Sequence, residues 1–272
     1  MTDPSSFRQR VLAREMLIGT FLNMGSPMSA ELCGRLGFDW LLIDLEHGAG
    51  SEAGLLHELQ AGAATSAVPL VRVEQGERMR IARALDLGAP GIMVPRVGSA
   101  AFAEELVSYL RYPPAGSRGT ALLTRGARFG AVSHDGLADI HDRLVGIMQI
   151  ESPEAVAAAP EIAAVDGVDV LFVGPTDLSH AMGIPGRVDE PAFHDAVAAV
   201  GRAAQDAGKA AGVLLWNAGQ YQRYADLGYT FLALGSDGAF VSAGATAALA
   251  AMRDLVAADQ AAGAGPGQPG GG

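Results

Sequence analysis

Phe38-Asp-Trp-Leu-Leu-Ile-Asp-Leu-Glu-His-Gly48 is an apolar run that ends abruptly in charge. Trp40 to Ile43 carry no polar interruption, the pattern of a strand buried on both faces. Asp44, Glu46 and His47 follow at once, and Gly48 breaks the run. Ionisable groups at the carboxyl end of a buried strand are expensive unless they bind or react with something. The plainer reading is a capped strand whose acids accept from loop amides. Against it, similar acid-tipped ends recur at Glu151 and Asp177.

The same rhythm extends outward. Leu17–Leu22 precedes this strand, and Ser26 is positioned to cap a helix over 28–36 that Gly37 closes. A helix over about 52–65 follows, with Leu55, Leu56 and Leu59 on one face. Val68–Val73 and Gly91–Pro95 are the next strands, separated by a helix over 77–87, and Ser99 caps a helix running to about Leu110. Strands at 145–150, 170–173, 212–216 and 231–234 complete the series. They alternate with helices at 153–164, about 190–207, 221–227 and an alanine-rich 242–262. Residues 1–15 read as a leading polar helix or arm.

Eight buried strands, each followed by a helix, predict a (β/α)8 barrel as one domain over 1–262. The C-terminal helix is then surplus to closure and is expected to serve a subunit contact. The tail, 263–272, is too rich in glycine and proline to bury anything and is expected to be disordered. An open doubly wound sheet would need a phosphate fingerprint after an early strand, and no GxGxxG occurs.

Composition narrows the function. The formal net charge of -11 argues against nucleic acid or an anionic membrane as partner. No stretch of about 18 consecutive apolar residues occurs, the start lacks a signal-peptide core, and the lone Cys33 fits a reducing cytoplasm. Small-molecule chemistry is the expectation left.

In a barrel, reactive groups sit at strand carboxyl ends, where this count puts Asp44, His47, Arg72, Glu151 and Asp177. Glu151 and Asp177 would repel unless a cation or proton lay between them. No Cys or His pair has zinc spacing, and an oxygen-only set suits a hard divalent ion. As helix N-terminal acids they would need no cation, a reading that fits Asp177 alone. Gly174-Pro-Thr-Asp177 leads into a helical turn whose free amides could seat a carboxylate. Arg72, alone in an apolar strand, suits a developing oxyanion, or simply pairs with a core acid. His47 is the one histidine beside two acids at a strand end and could move protons near neutrality. His57, His134, His141, His180 and His194 read as surface or partly buried. Cys33 reads as core, and Trp216 as pocket wall or core aromatic. The arginine- and glycine-rich stretch 111–136 has no sustained periodicity and reads as a lid or a subunit contact.

Together, DLEHG after a strand, GIMVPRV, RYPPAGSRG, QIESPEAV and VLFVGPTDLSHAMG resemble the HpcH/HpaI aldolase family, the metal-dependent pyruvate aldolases, over roughly residues 10–255. The resemblance implies a (β/α)8 barrel, a homohexamer built as a trimer of dimers, and a last helix packed on a neighbour. It implies Glu151 and Asp177 as ligands of a divalent metal (Mg²⁺, Mn²⁺ or Co²⁺), with Gln149 lining the same site and no organic cofactor. It implies Arg72 on the keto oxygen of pyruvate, His47 as catalytic histidine, and Asp44 holding metal-bound water. Thr176 and Asp177 would hold the substrate carboxylate through their amides, and Leu214 would limit the aldehyde pocket. Asp86, at the far end of its own barrel, would reach a His47 only across a subunit contact. Leu45, Phe21 (where some members carry tryptophan) and the large Trp216 depart from the pattern on the aldehyde side.

The reaction so implied is reversible cleavage of a 4-hydroxy-2-oxoacid to pyruvate, or a close 2-oxoacid such as hydroxypyruvate, and an aldehyde. No Schiff-base lysine is needed, and Lys209, the only lysine, precedes a strand. Competing readings are a CoA-thioester lyase drawing on the arginine-rich loop, an oxaloacetate decarboxylase, and a non-catalytic oxoacid-binding barrel.

Overall fold

The computed structural model describes the backbone of residues 4–263 and the side chains of 7–260. The tail expected to be disordered lies outside the described residues, apart from Gly263, which ends the last helix. Eight parallel strands close into a barrel in sequence order. They are β1 Leu17–Leu22, β2 Trp40–Asp44, β3 Val68–Arg72, β4 Gly91–Val94, β5 Val145–Ile150, β6 Val170–Val173, β7 Ala210–Leu215 and β8 Tyr229–Ser236. Helix α1, Pro4–Leu12, precedes β1. Then come α2 Pro27–Arg35, α3 Glu52–Ala63, α4 Arg78–Asp86, α5 Ala100–Leu110 and α6 Leu137–His141. The second half carries α7 Pro153–Ala157, α8 Ala159–Ala164, α9 Pro175–Ala181, α10 Pro191–Asp206, α11 Tyr221–Asp226 and α12 Asp237–Gly263.

Strand β2 shows why the apolar run folds as it does. All five of its residues are buried, with alternate side chains feeding two different cores. Leu41 and Ile43 face the helical shell, while Trp40 and Leu42 fill the barrel interior. The Trp40 indole stacks on Phe231 at 4.2 Å between centroids. Its partner in register on β1 is Gly19, where a Cβ would lie 2.0 Å from the indole. Only glycine at 19 admits the indole.

Several expectations are corrected. Helix α1 is more than a polar arm: Phe7 and Val11, one turn apart, are buried among the interior residues. Arg8 anchors α1 through two hydrogen bonds of 3.0 and 2.9 Å to the fully buried Asp169. The helix expected over 153–164 is two helices, with Pro160 in the first turn of the second. Helix α12 begins at Asp237, five residues before the expected start, so it grows directly from β8.

Stretch 111–136 is not a lid over its own barrel. It leaves α5 and returns through α6 to β5, which puts it at the amino end of the strands. There Arg118, stacked on the Tyr112 ring at 4.4 Å, donates to Asp86 Oδ1 at 3.0 Å. Gly126 N–H also donates to the Asp86 carbonyl. Leu123 and Phe129 remain exposed on the same loop.

From Ala239 to Gln260 every residue of α12 is exposed, Leu249, Met252, Leu255 and Val256 among them. By length and composition alone, Asp237–Gln260 is apolar enough to cross a membrane.

Candidate active site

At the carboxyl end of the strands lies a cavity of about 360 Å³. Its wall contains Phe21, Asp44, His47, Arg72, Gln149, Glu151, Gly174, Thr176, Asp177 and Leu214. These are all the expected site residues except Asp86, which stays at the opposite end beside Arg118, as its place before β4 requires.

Strand pairing builds the first half of the site. Asp44 and Arg72 are register partners at the ends of β2 and β3. Arg72 donates to both Asp44 oxygens, at 2.8 and 2.7 Å, and its Nη1 lies 2.9 Å from Glu46 Oε2. Burial opposes the charge, but the Asp44 bonds and the Asp44, Glu46 and Glu151 charges outweigh it and raise the Arg72 pKa. Those contacts use three of five N–H groups, leaving two donors. Asp44 Oδ1 also accepts from the Glu46 and His47 amides at 3.0 and 3.3 Å. Both Asp44 oxygens are thus engaged in fixing Arg72 and the turn that carries His47. The His47 side chain is 61% exposed at the rim, with Nε2 3.9 Å from Glu46 Oε2.

The other half comes from β5 and β6. Glu151, just past β5, is buried, and burial first, then the charges of Asp177 and Glu46, push its pKa up to about 7. Arg72 and the Arg96 amide pull the other way. That amide reaches Glu151 Oε2 at 3.2 Å from a left-handed residue with φ of 57°. Gln149 Nε2 donates to Glu151 Oε1 at 2.6 Å, while its own Oε1 is buried without a partner among the described residues. A Cβ at Gly174 would stand 2.6 Å from Glu151 Oε1, so the absence of a side chain there keeps the carboxyl in place. Asp177 sits in the first turn of α9, beyond the strand end. The amides of Thr176 and Asp177 precede the first bond of that helix, Leu178 N–H to Gly174 O at 3.0 Å, and so have no acceptor within it.

Among the described residues no three His, Cys, Asp or Glu side chains form a ready-made metal cluster. The donor set does fit a hard divalent ion, with two mutually repelling carboxylates, one of them buried, beside an unpartnered amide oxygen. Glu151, Asp177 and Gln149 would hold it, leaving other positions for water and substrate.

Sequence reasoning missed Asn23, just after β1, and Ser236, at the end of β8, both in the cavity wall with Trp216 and Ala239. Neither Asn23 nor Ser236 is charged, so only position one step from a strand end could have marked them. Trp216 lies past the end of β7 and is 46% exposed, a wall residue and not core. Cys33 is buried as expected.

The family model for HpcH/HpaI aldolase/citrate lyase matches residues 17–244. A hydroxypyruvate/pyruvate aldolase of Delftia acidovorans is 41% identical over 94% of this chain and 95% of its own length. A 4-hydroxy-2-oxo-heptane-1,7-dioate aldolase of Salmonella arizonae is 38% identical over 89% and 92%. The crystal structure of a family protein from Burkholderia cenocepacia superposes with a TM-score of 0.87 at 34% identity, covering 92% of this chain and 99% of that one.

Proposed function

This chain belongs to the HpcH/HpaI aldolase/citrate lyase family, and on that premise we propose a divalent-metal-dependent aldolase. It would reversibly cleave 4-hydroxy-2-oxoacids to an aldehyde and pyruvate, or a close 2-oxoacid such as hydroxypyruvate. The observation that carries the reading is the convergence of buried Glu151 with Asp177 and the unpartnered Gln149 oxygen. A divalent cation held there would supply Lewis acidity to the 2-oxoacid.

The protein's own groups divide the remaining work. The Thr176 and Asp177 amides bind the carboxylate, and the helix end favours its charge. The two uncommitted Arg72 donors offset charge on the keto oxygen as the enolate forms, held in place by Asp44. His47 takes the 4-hydroxyl proton during cleavage and returns it during addition. Aldolase-named relatives favour this over a non-catalytic barrel. Within its own subunit the CoA-lyase alternative loses its basic loop, which lies at the other end of the barrel.

Chelation tests the reading. Excess EDTA should abolish pyruvate release from a panel of 4-hydroxy-2-oxoacids, and Mg²⁺, Mn²⁺ or Co²⁺ should restore it, while borohydride plus substrate leaves it intact. Glu151→Gln should lower turnover about 10³-fold, the scale of several kcal/mol of Lewis-acid stabilisation. Full activity in EDTA would end the metal assignment.

The active form would be a cytoplasmic homohexamer, a trimer of dimers. On α2, beginning in the loop before it, Met24, Met28, Leu32 and Leu36 form an exposed stripe at four-residue spacing. The α12 root adjoins α2 through Ser29 Oγ to Asp237 Oδ2 at 2.6 Å, and the turn after α2 through a stacked Phe38–Phe240 pair. A two-fold pairing with each α12 on the other copy's α2 buries both apolar surfaces at once. The exposed Leu123 and Phe129 beside Asp86 suit the second contact, offering that carboxylate to a neighbour's His47. Ending the chain at Gly263 should leave the assembly intact, and ending it at Ser242 should yield smaller species or aggregates in light scattering. An unchanged hexamer after the longer cut, or a monomer that partitions into vesicles, would refute this pairing.

A further inference from the structure

The groups assigned to the metal, the carboxylate and the keto oxygen lie at the ends of β3, β5 and β6, so the aldehyde half of a substrate must extend towards β7, β8 and β1, the opposite arc of the barrel. Most of that arc is apolar: Phe21, Leu214 and Trp216. Asn23 and Ser236 interrupt it. Asn23 Nδ2 donates to Ser236 Oγ at 3.3 Å, and Ser236 Oγ also accepts from the Ala239 amide at 3.2 Å. With both acceptor sites filled, the Ser236 hydroxyl hydrogen remains to donate, and no acceptor for it is found among the described residues. Asn23 Oδ1 likewise receives no donor among them.

The pair is held in position by the backbone. Asn23 N–H donates to Asp237 Oδ1 at 2.8 Å, and Asn23 O accepts from the Ala49 amide at 2.8 Å, two residues past His47. A Cβ at Gly238 would lie 2.7 Å from Asn23 Oδ1, so the amide has its place because residue 238 has no side chain. The cations in the cavity wall are Arg72, already facing Asp44 and Glu46, and His47 when protonated. Neither belongs to the β7–β8–β1 arc, so among the described residues of one subunit a carboxylate at the distal end of the aldehyde would find no charge partner there.

We propose that Asn23 and Ser236 form the aldehyde-end subsite and select short, uncharged hydroxyaldehydes. The Ser236 hydroxyl donates to the aldehyde's hydroxyl oxygen, and Asn23 Oδ1 accepts its proton. The inference rests on the aldolase reading above.

The test compares kcat/KM for addition of pyruvate to glycolaldehyde and to acetaldehyde, which differ only by one hydroxyl, with succinic semialdehyde as the carboxylate-bearing case. The wild-type enzyme should prefer glycolaldehyde to acetaldehyde about tenfold or more, the size of one or two neutral hydrogen bonds left unmade. Succinic semialdehyde should be a poorer acceptor than glycolaldehyde, and a preference for it would overturn the selection for uncharged aldehydes. Asn23→Ala and Ser236→Ala should each bring the glycolaldehyde preference down several-fold, and Ser236→Thr, which keeps the hydroxyl, should retain it. No hydroxyl preference in the wild-type enzyme, or a preference unchanged in both alanine variants, overturns the subsite. Exchange of pyruvate methyl protons with solvent in the wild-type enzyme separates the two levels. Its absence would refute the aldolase reading, whereas exchange and addition without selectivity would refute the subsite alone.

Discussion

The two ends of the barrel each hold a buried aspartate paired with an arginine, and they use it differently. At the amino end, Asp169 accepts from Arg8 Nε and Nη2 and from the Gly146 amide. That local charge account closes, and α1 covers the bottom of the interior. At the carboxyl end, Arg72 faces Asp44 and Glu46, while Glu151 and Asp177 lie nearby. Acids outnumber the buried cation there, and burial first, then the charges of Asp177 and Glu46, push the Glu151 carboxyl up to about 7. A buried pair that balances holds structure, whereas an imbalance that folding alone would not favour marks the end where something else must bind.

The sharpest way to break this contrast lies within the mouth itself. On the proposed reading His47 handles the proton of the 4-hydroxyl, a step that oxaloacetate decarboxylation lacks, whereas Arg72 supports the enolate common to both reactions. His47→Ala should reduce aldol cleavage by about 10²–10⁴ and spare decarboxylation. Arg72→Ala should reduce both by about 10²–10³, and should also destabilise the fold, because Asp44 and Glu46 lose their shared cation. The measurement is kcat for both reactions at one pH and saturating metal. Equal losses in His47→Ala would mean that the histidine holds the site together and is no dedicated proton carrier.

A smaller effect separates the ends by pH. Glu58 on α3 is fully buried near the mouth, with neither carboxyl oxygen bonded among the described residues. Burial, then the charge of Asp237, raises its pKa from 4.5 to about 7. Between those values the folded protein keeps a proton that the unfolded chain has released, so stability falls as pH rises through that window and levels off above it. The loss is on the order of 3 kcal/mol. Glu58→Gln should therefore be more stable than wild type at pH 8, with the gap closing towards pH 4.5. Asp169→Asn at the other end should instead be less stable by about 1–3 kcal/mol throughout that range, because it weakens bonds to a charged partner. Urea denaturation of both variants across that range would decide. A Glu58→Gln protein no more stable than wild type at pH 8 would erase the distinction.

Buried parallel strands write themselves as continuous apolar runs, which is why β1, β5 and β6 fall where the sequence places them. His47, Arg72, Glu151 and Asp177 were legible because charge next to such a run is costly without a partner. Asn23 and Ser236 had no such contrast, and their role depends on β8 closing against β1, a contact between residues far apart in the chain. The buried face of α1 hid for a related reason, since Phe7 and Val11 among mostly polar neighbours make no stripe until a barrel bottom receives them. The misreading of 111–136 as a possible lid had another origin. Its missing periodicity drew attention, but its place between a helix and the next strand already assigned it to the amino end.

Gly174 carries a consequence for how such a sequence can drift. A single added methyl there would intrude on Glu151 Oε1, whereas the same methyl at Gly98 would meet nothing within 4 Å. With φ at −92°, residue 174 has a backbone that alanine adopts freely, so the chain would still fold. A lineage released from selection for turnover could displace its buried carboxyl at that one position, its strands, helices and apolar cores untouched.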